Sequence, residues 1–497
     1  MIGKGLTPFT KLRSQVPHVP LIHARRIASH YHRDQTRSCD ARGTIPSLCP
    51  SNGERYHRSM TARTSSDDVP TISYIASDGA LAELLYDPVA RTTALAAFQD
   101  GTVRQHDRLT LPSGERLVPY SATNNLIAHA CILLPSDVGD GRDKREVYGA
   151  VQAFLHRYVD ISPAFEEIAA YYVLLSWVYD AFSVVPYLRV RGDYGTGKSR
   201  ALLAIGSLCY KPFFASGAST VSPIFHILDA FQGTLILDEA DFQFSDATAE
   251  LTKVLNNGNM RGLPVLRTMT NRNRELNPTA FRVFGPKIIG MRRRFTDDAL
   301  ESRFITEETG GRPLRADIPL HLPDTFDEEA RALRNRLLGF RFHHRHQIAL
   351  DPGRAMRDAE PRLNQVALPL LSLVDDDRAR EHMVAFLLRE TDRARQERAD
   401  SLEAVMVKAL IEAFEAAPVA YVSIAETTDR FNQIAAGELG RAMNHRWVGG
   451  FIRNRLGLST MKTRGVFVVP QTERPKLSAL AQRFDVTDSA NEAASSL

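Results

Sequence analysis

Eight consecutive residues, Gly192-Asp193-Tyr194-Gly195-Thr196-Gly197-Lys198-Ser199, carry the spacing GxxxxGK[ST]. Glycines at this spacing let successive backbone N–H groups curl into an anion nest without Cβ clashes, and a helix N-terminus adds its positive end. In such a loop Lys198 is expected to set its ammonium on the β- and γ-phosphates of ATP, and Ser199 to ligate Mg2+. The pattern has meaning only between a strand and a helix. Tyr187 to Val190 reads as the strand before it and Arg200 to Leu208 as the helix after it.

A second chemical signal follows in Gly233-Thr234-Leu235-Ile236-Leu237-Asp238-Glu239-Ala240-Asp241, a continuous apolar run ending in acids. That is the signature of a central parallel strand whose C-terminal edge meets a ligand. Alone, an acidic pair in this place is more often a solvated strand end. After a phosphate loop it reads as Asp238 holding the Mg2+ shell and Glu239 orienting the attacking water, which marks a hydrolase rather than a small-molecule kinase.

These residues need an alternating strand–helix framework, and residues 187–318 supply that pattern, the mark of an α/β core with a parallel sheet flanked by helices. Before it, residues 145–186 form a helical lead-in. Val147, Val151, Phe154, Leu155 and Tyr158 share one helical face, and Ser162-Pro163 caps and opens a second helix. The most apolar window, Ala169 to Leu188, contains Asp180 and Pro186. It therefore reads as a buried helix and strand, with no membrane partner expected. Residues 71–144 read as a small mixed α/β region, with short strands near Leu109, Leu117 and Ile132. Residues 319–400 read as a charged helical lid. Residues 1–70 have the Arg, His, Ser and Pro content of a disordered leader, and 471–497 that of a flexible tail.

Residues 401–470 alternate helices and short strands in the order of a winged helix. Asn444 to Leu456 stands as recognition helix and Thr460 to Pro470 as a wing turning at Gly465. Arg446, Arg453, Arg455, Lys462 and Arg464 would give this module a basic edge for DNA. Winged helices also mediate protein contacts, and Gly449-Gly450 weakens the recognition helix, so a protein partner remains the alternative.

With the loop, the LILDEAD strand, LNNGNMRGLPVLR (255–267), AFRVFGPKIIG (280–290) and ALESRF (299–304) in hand, the chain resembles an AAA+-type P-loop ATPase. It resembles in particular the helicase domain of primase–helicase proteins of phages, plasmids and integrated elements, over roughly residues 145–375. The resemblance implies an oligomeric, DNA-dependent ATPase: a helicase or DNA-remodelling motor of a mobile element, acting as a hexamer-like homo-oligomeric ring on single-stranded or forked DNA. It implies that Arg303 reaches the γ-phosphate held by the neighbouring subunit, against the plainer reading of a surface arginine paired with Glu301 or Asp298. It implies a pore-lining hairpin carrying Arg267, Arg272 and Arg274, against a solvated loop with incidental arginines. The expected small polar sensor is replaced by Met291-Arg292-Arg293-Arg294 and stays unassigned, while Arg362 in the lid is a candidate second sensor. The competing reading is an initiator-like or regulatory switch, in which ATP controls DNA binding without processive unwinding. No primase carboxylate constellation stands out in residues 71–140.

Composition bounds the rest. The 497 residues suggest several domains. Cys39, Cys49, Cys131 and Cys209 are the only cysteines and lack CxxC spacing, so they form neither a disulfide framework nor a zinc site and fit a reducing, cytoplasmic compartment. The formal net charge of +4 suggests a basic protein, but residues 1–59 hold ten basic and three acidic side chains. Removing these from the totals of 62 and 58 leaves 52 basic and 55 acidic residues from Met60 onward, slightly acidic. DNA contact must therefore come from local arginine clusters rather than net charge. Met60 opens a sequence that resembles a natural start, so residues 1–59 are expected to be an upstream extension. N-terminal mass determination on the native protein should place the first residue at Met60, and a mature chain retaining residues 1–59 would contradict this.

Overall fold

The computed structural model describes residues 68–486 apart from 77–78, 218, 239–245, 271–275, 296, 312, 358, 417–419 and 436–441. At its centre lie five parallel strands, in the spatial order Phe304–Glu308, Tyr187–Arg191, Lys287–Met291, Leu235–Asp238, Phe213–Ser216. Parallel pairing demands a crossover between successive strands. Helices Lys198–Leu208, Val221–Phe231 and Asp246–Asn257 serve the first three. The third also includes a two-stranded ribbon, Val265–Thr270 and Leu276–Phe281. Every residue of Lys287–Met291 is buried, as expected where helices cover both sheet faces.

Helix Pro163–Val178 explains the apolar window: thirteen of its sixteen residues are buried. Its polar atoms are satisfied, with Tyr172 Oη accepting from Lys287 N (2.9 Å) and Trp177 Nε1 donating to the Leu208 carbonyl (2.8 Å). Ser162 Oγ caps the helix by accepting from Phe165 N. Among the described residues no helix is long and apolar enough to cross a membrane. Helices Phe326–His344, Pro361–Leu371 and Asp377–Ala399 follow the sheet.

Two expectations are corrected. Residues 71–144 are not a balanced α/β mixture but mainly strand. Ser73–Ile75, Leu81–Asp87, Thr92–Gln99 and Thr102–His106 form an antiparallel meander, beside a three-stranded sheet of Asp68–Thr71, Arg116–Pro119 and Leu109–Thr110. Helix here amounts to the single turn Asn125–Ala128 before the lead-in helix Lys144–Tyr158. The three alanines of Thr92–Gln99 weaken its strand signal, and burial of Leu95 and Ala96 against the core outweighs that. Nor is the segment after Pro470 wholly a flexible tail. Helix Arg474–Arg483 buries Leu477 and Ala481 in the C-terminal core, with Phe484 following. The i, i+4, i+7 spacing of these three residues already carried that signal.

An ion cluster with a buried centre welds the meander to the sheet core and to helix Phe326–His344. Glu83, 1% exposed, meets Lys211 Nζ at 2.9 Å, Arg341 Nε at 2.7 Å and Tyr210 Oη at 2.8 Å. Arg341 also pairs with Asp180 (2.8 Å), which receives Arg345 (2.7 Å). Burial works against the Glu83 charge, yet Lys211 and Arg341 hold its carboxyl below the usual range. Removing one member of a buried pair leaves the other uncompensated, at a cost of about 3–5 kcal/mol. Glu83→Gln is therefore expected to lower the urea-denaturation midpoint markedly, and Arg345→Gln, at the wetter end of the cluster, to lower it less. Equal midpoints would contradict the weld.

Candidate functional site

The phosphate-type loop leaves the end of Tyr187–Arg191 and enters helix Lys198–Leu208. Gly195 and Gly197 have φ of +74° and +89°, left-handed values that favour glycine. A Cβ on either would meet nothing within 4 Å, so the loop encloses open space. Gly192 is needed for a different reason. A Cβ there would lie 2.3 Å from Thr309 Oγ1, because Thr309, just past strand Phe304–Glu308, donates its N–H to the Arg191 carbonyl (2.7 Å) and closes the loop's base. Lys198 Nζ lies 2.7 Å from the Gly192 carbonyl and 2.5 Å from that of Asp193, which holds the ammonium over the loop. Backbone N–H groups at a helix start beside an ammonium make a cradle for a polyanion.

Strand Leu235–Asp238 brings its last residue to the same edge. Ser199 Oγ donates to Asp238 Oδ2 at 2.6 Å. On the neighbouring strand Gly290 makes room, since a Cβ there would lie 3.0 Å from Asp238 Oδ1 and 2.7 Å from Leu202 Cδ1. A hydroxyl and a carboxylate are hard oxygen donors of the kind Mg2+ takes, the remaining ligands coming from phosphate and water. Among the described residues no group of three His, Cys, Asp or Glu stands ready for a metal. Glu239 lies outside the described residues. Sequence reasoning left Arg292 unassigned. Met291 O accepts from Gly192 N (3.3 Å), and the Arg292 guanidinium stacks 4.2 Å over the exposed Tyr194 ring, against the loop itself.

Arg303 is not in this cluster. It precedes strand Phe304–Glu308, whereas Thr309 follows it at the loop. Five strand residues at about 3.3 Å each put roughly 16 Å of sheet between them, beyond an arginine's reach. Arg303 Nε donates to Asn259 Oδ1 (2.9 Å) and its guanidinium caps the Ala299 carbonyl. Both partners of the plainer reading are otherwise engaged. Glu301 takes Arg189 bidentately (2.6 and 2.8 Å), and Asp298 meets Arg483. Asn256 donates to Asp297 (2.9 Å), the cap of the short helix Asp298–Glu301.

Two further cations gather at this edge. The Nε of Arg362, the candidate second sensor, lies 3.4 Å from Ser302 Oγ, beside Arg303. Burial, then the Arg303 charge, pulls its guanidinium pKa down. Lys287, wholly buried, donates to the carbonyls of Val283 (2.8 Å), Gly285 (3.0 Å) and Gly258 (3.3 Å), and burial pushes its pKa down to about 7. These carbonyls flank both arms of the ribbon, which accounts physically for the LNNG and FGPK elements.

The expected nucleic-acid residues are scattered. Arg267 pairs with Glu250 (2.7 Å) and stacks on Phe225 (4.0 Å), so it does not stand as a free cation. Arg272 and Arg274 lie outside the described residues. In the C-terminal part, helices Leu402–Ala416, Ile424–Ala435 and His445–Asn454 pack with a sheet ordered Tyr421–Ser423, Val466–Pro470, Met461–Thr463. Arg446, Lys462 and Arg464 are exposed. Arg453 donates to Thr460 (3.1 Å) and Arg455 lies 3.9 Å from Glu403. Arg464 and Gly465 turn the hairpin with φ of +49° and +87°, the sign pattern of a type I′ turn. Gly449 is buried, its Cα side facing Ile424.

No family model matches the chain, and no curated protein sequence matches it. Among solved structures it is similar to the apo C-terminal region of NrS-1, at 12% identity over 78% of this chain and 96% of that one, with a TM-score of 0.32. It is similar to the SCCmec type IV Cch active helicase, at 12% identity over 82% and 95%, with a TM-score of 0.33. A third is the Aeropyrum pernix ORC1 protein in complex with DNA, at 14% identity over 67% and 96%, with a TM-score of 0.20. At these identities and TM-scores the likenesses leave the functional reading to the chain's own residues.

Proposed function

We propose that the chain is an ATP-hydrolysing motor that acts on DNA as an oligomer. The observation that carries the reading is the convergence, at one sheet edge, of the open glycine cradle, the Lys198 ammonium and the Ser199–Asp238 pair. Mg-ATP, when bound, would supply a transferable γ-phosphoryl group, with the cation offsetting part of its charge. Loop N–H groups from Gly195 to Lys198 receive phosphate oxygens, Lys198 exchanges carbonyl partners for phosphate, and Ser199 and Asp238 hold the cation. Glu239, next after Asp238, orients the water. Arg303 neutralises the charge that develops during transfer, on the nucleotide of a neighbouring copy.

The C-terminal order helix, strand, helix, helix, strand, strand supports a winged-helix reading, with Arg446, Lys462 and Arg464 offered to DNA phosphates. One contact favours the alternative of an ATP-controlled switch. Arg483, in the C-terminal helix, meets Asp298 in the short helix leading to Arg303, so the C-terminal part touches the segment carrying that arginine.

Forked DNA separates the readings. A motor separates the strands when ATP is present, and Glu239→Gln should bind ATP yet lose about 10²-fold or more in turnover and unwinding. ATP turnover without strand separation would favour the switch. Unchanged turnover in Glu239→Gln would refute the hydrolytic assignment.

A further inference from the structure

A cavity of about 400 Å³ lies between the lead-in helices Lys144–Tyr158 and Pro163–Val178 and the helix Asp377–Ala399. Small-molecule pockets span about 300–1,000 Å³, and none of the residues lining this one belongs to the phosphate-type loop. Tyr148 and Tyr171 stack at 4.3 Å and give it an aromatic wall. Glu167 gives it an acceptor that the chain leaves unused. Its Oε1 meets His382 Nδ1 at 3.3 Å, while Oε2 is buried without a hydrogen-bond partner. The other two acids of the lining are engaged, Asp375 with Lys144 (2.8 Å) and Asp376 with the Ala379 N–H (2.8 Å). A buried acceptor left unmade is costly, and burial raises the Glu167 carboxyl above its usual range. A donor from outside the chain relieves both. Charge narrows the ligand further. Lys144, Arg145 and Arg378 balance Glu167, Asp375 and Asp376 around the cavity, which suits neither a polyamine nor a long polyanion.

We propose that this cavity is a second nucleotide site, separate from the loop, that takes an adenine base. The exocyclic amino group donates to Glu167 Oε2, the ring lies against the tyrosine wall, and a phosphate reaches the exposed Arg145 and Arg378. One free acceptor matches one donor edge. Guanine presents two adjacent donors, of which one stays unpaired, and hypoxanthine turns a carbonyl toward the carboxylate. A free adenine nucleotide and an adenine in a single strand of DNA share this chemistry, and the experiment separates them. Nothing in the assignment requires hydrolysis at the loop.

Equilibrium dialysis of the full-length chain with labelled AMP tests it, in a Lys198→Ala background that disables the loop. One AMP should bind per chain. Adenosine should displace it at least about tenfold better than inosine, because the inosine carbonyl leaves Glu167 unpaired. Adding Glu167→Gln, whose amide both donates and accepts, should erase that preference. Tyr148→Ala should weaken AMP binding at least about fivefold, the scale of one lost base–aromatic contact. The comparison of adenosine with inosine needs no change in the cavity, so it decides even where a cavity variant fails to fold. Displacement by an oligo(dA) strand but not by oligo(dT) supports the site and assigns its base to DNA. Displacement by adenosine but by neither strand supports the site and assigns its base to a free nucleotide. Absence of AMP binding, equal displacement by adenosine and inosine, or a preference that survives in folded Glu167→Gln overturns the proposal.

Discussion

One short parallel strand, Phe304–Glu308, sets the terms for the whole site. Thr309 at its C-terminal end closes the phosphate-type loop against Gly192, and Arg303 at its N-terminal end begins the opposite edge. Because every strand of the sheet runs the same way, the loop, Asp238 and Arg292 collect at one edge. Arg303, Arg362 and the base of the ribbon collect at the other. A parallel sheet is stiff and buried on both faces, so no loop motion brings the two sets together within one chain. On the proposed oligomeric reading, the chemistry is divided between copies.

The arginine edge is held by polar groups that are individually costly to bury. Lys287 has three carbonyls for partners, on both arms of the ribbon, and next to one of them stands Asn259, which holds Arg303. Glu301 binds Arg189 bidentately and also receives Arg294 and the Phe295 N–H, fixing the turn that ends in Ser302 and Arg303. Ion pairs and hydrogen bonds of this kind specify one arrangement, since any slip leaves a charge uncompensated in a low-dielectric interior. The ribbon, the short helix and the arginine pair therefore share one rigid base.

The loop and the strand ending at Asp238 were legible from sequence because their chemistry is local: eight residues at a set spacing, then an apolar run ending in acids. What escaped was set by partners distant in the chain. Arg267 reads as a free cation until Glu250 and Phe225 are seen against it. Arg362 lies sixty residues from Ser302 in sequence. Glu83 looks like the outward residue of a strand, yet Arg341, 258 positions away, lies 2.7 Å from it. The N-terminal meander hid behind alanines whose weak strand preference is overcome by burial, and the net basic charge that first suggests a nucleic-acid binder belongs to residues 1–59.

The central claim is that no single chain holds a complete hydrolytic site. ATP turnover per chain, measured across a dilution series in which mass photometry follows assemblies converting to single chains, tests it most directly. Turnover per chain should fall in step with the loss of assemblies and be negligible in the single-chain species. Single chains that hydrolyse ATP at the rate of the assembly would contradict the account.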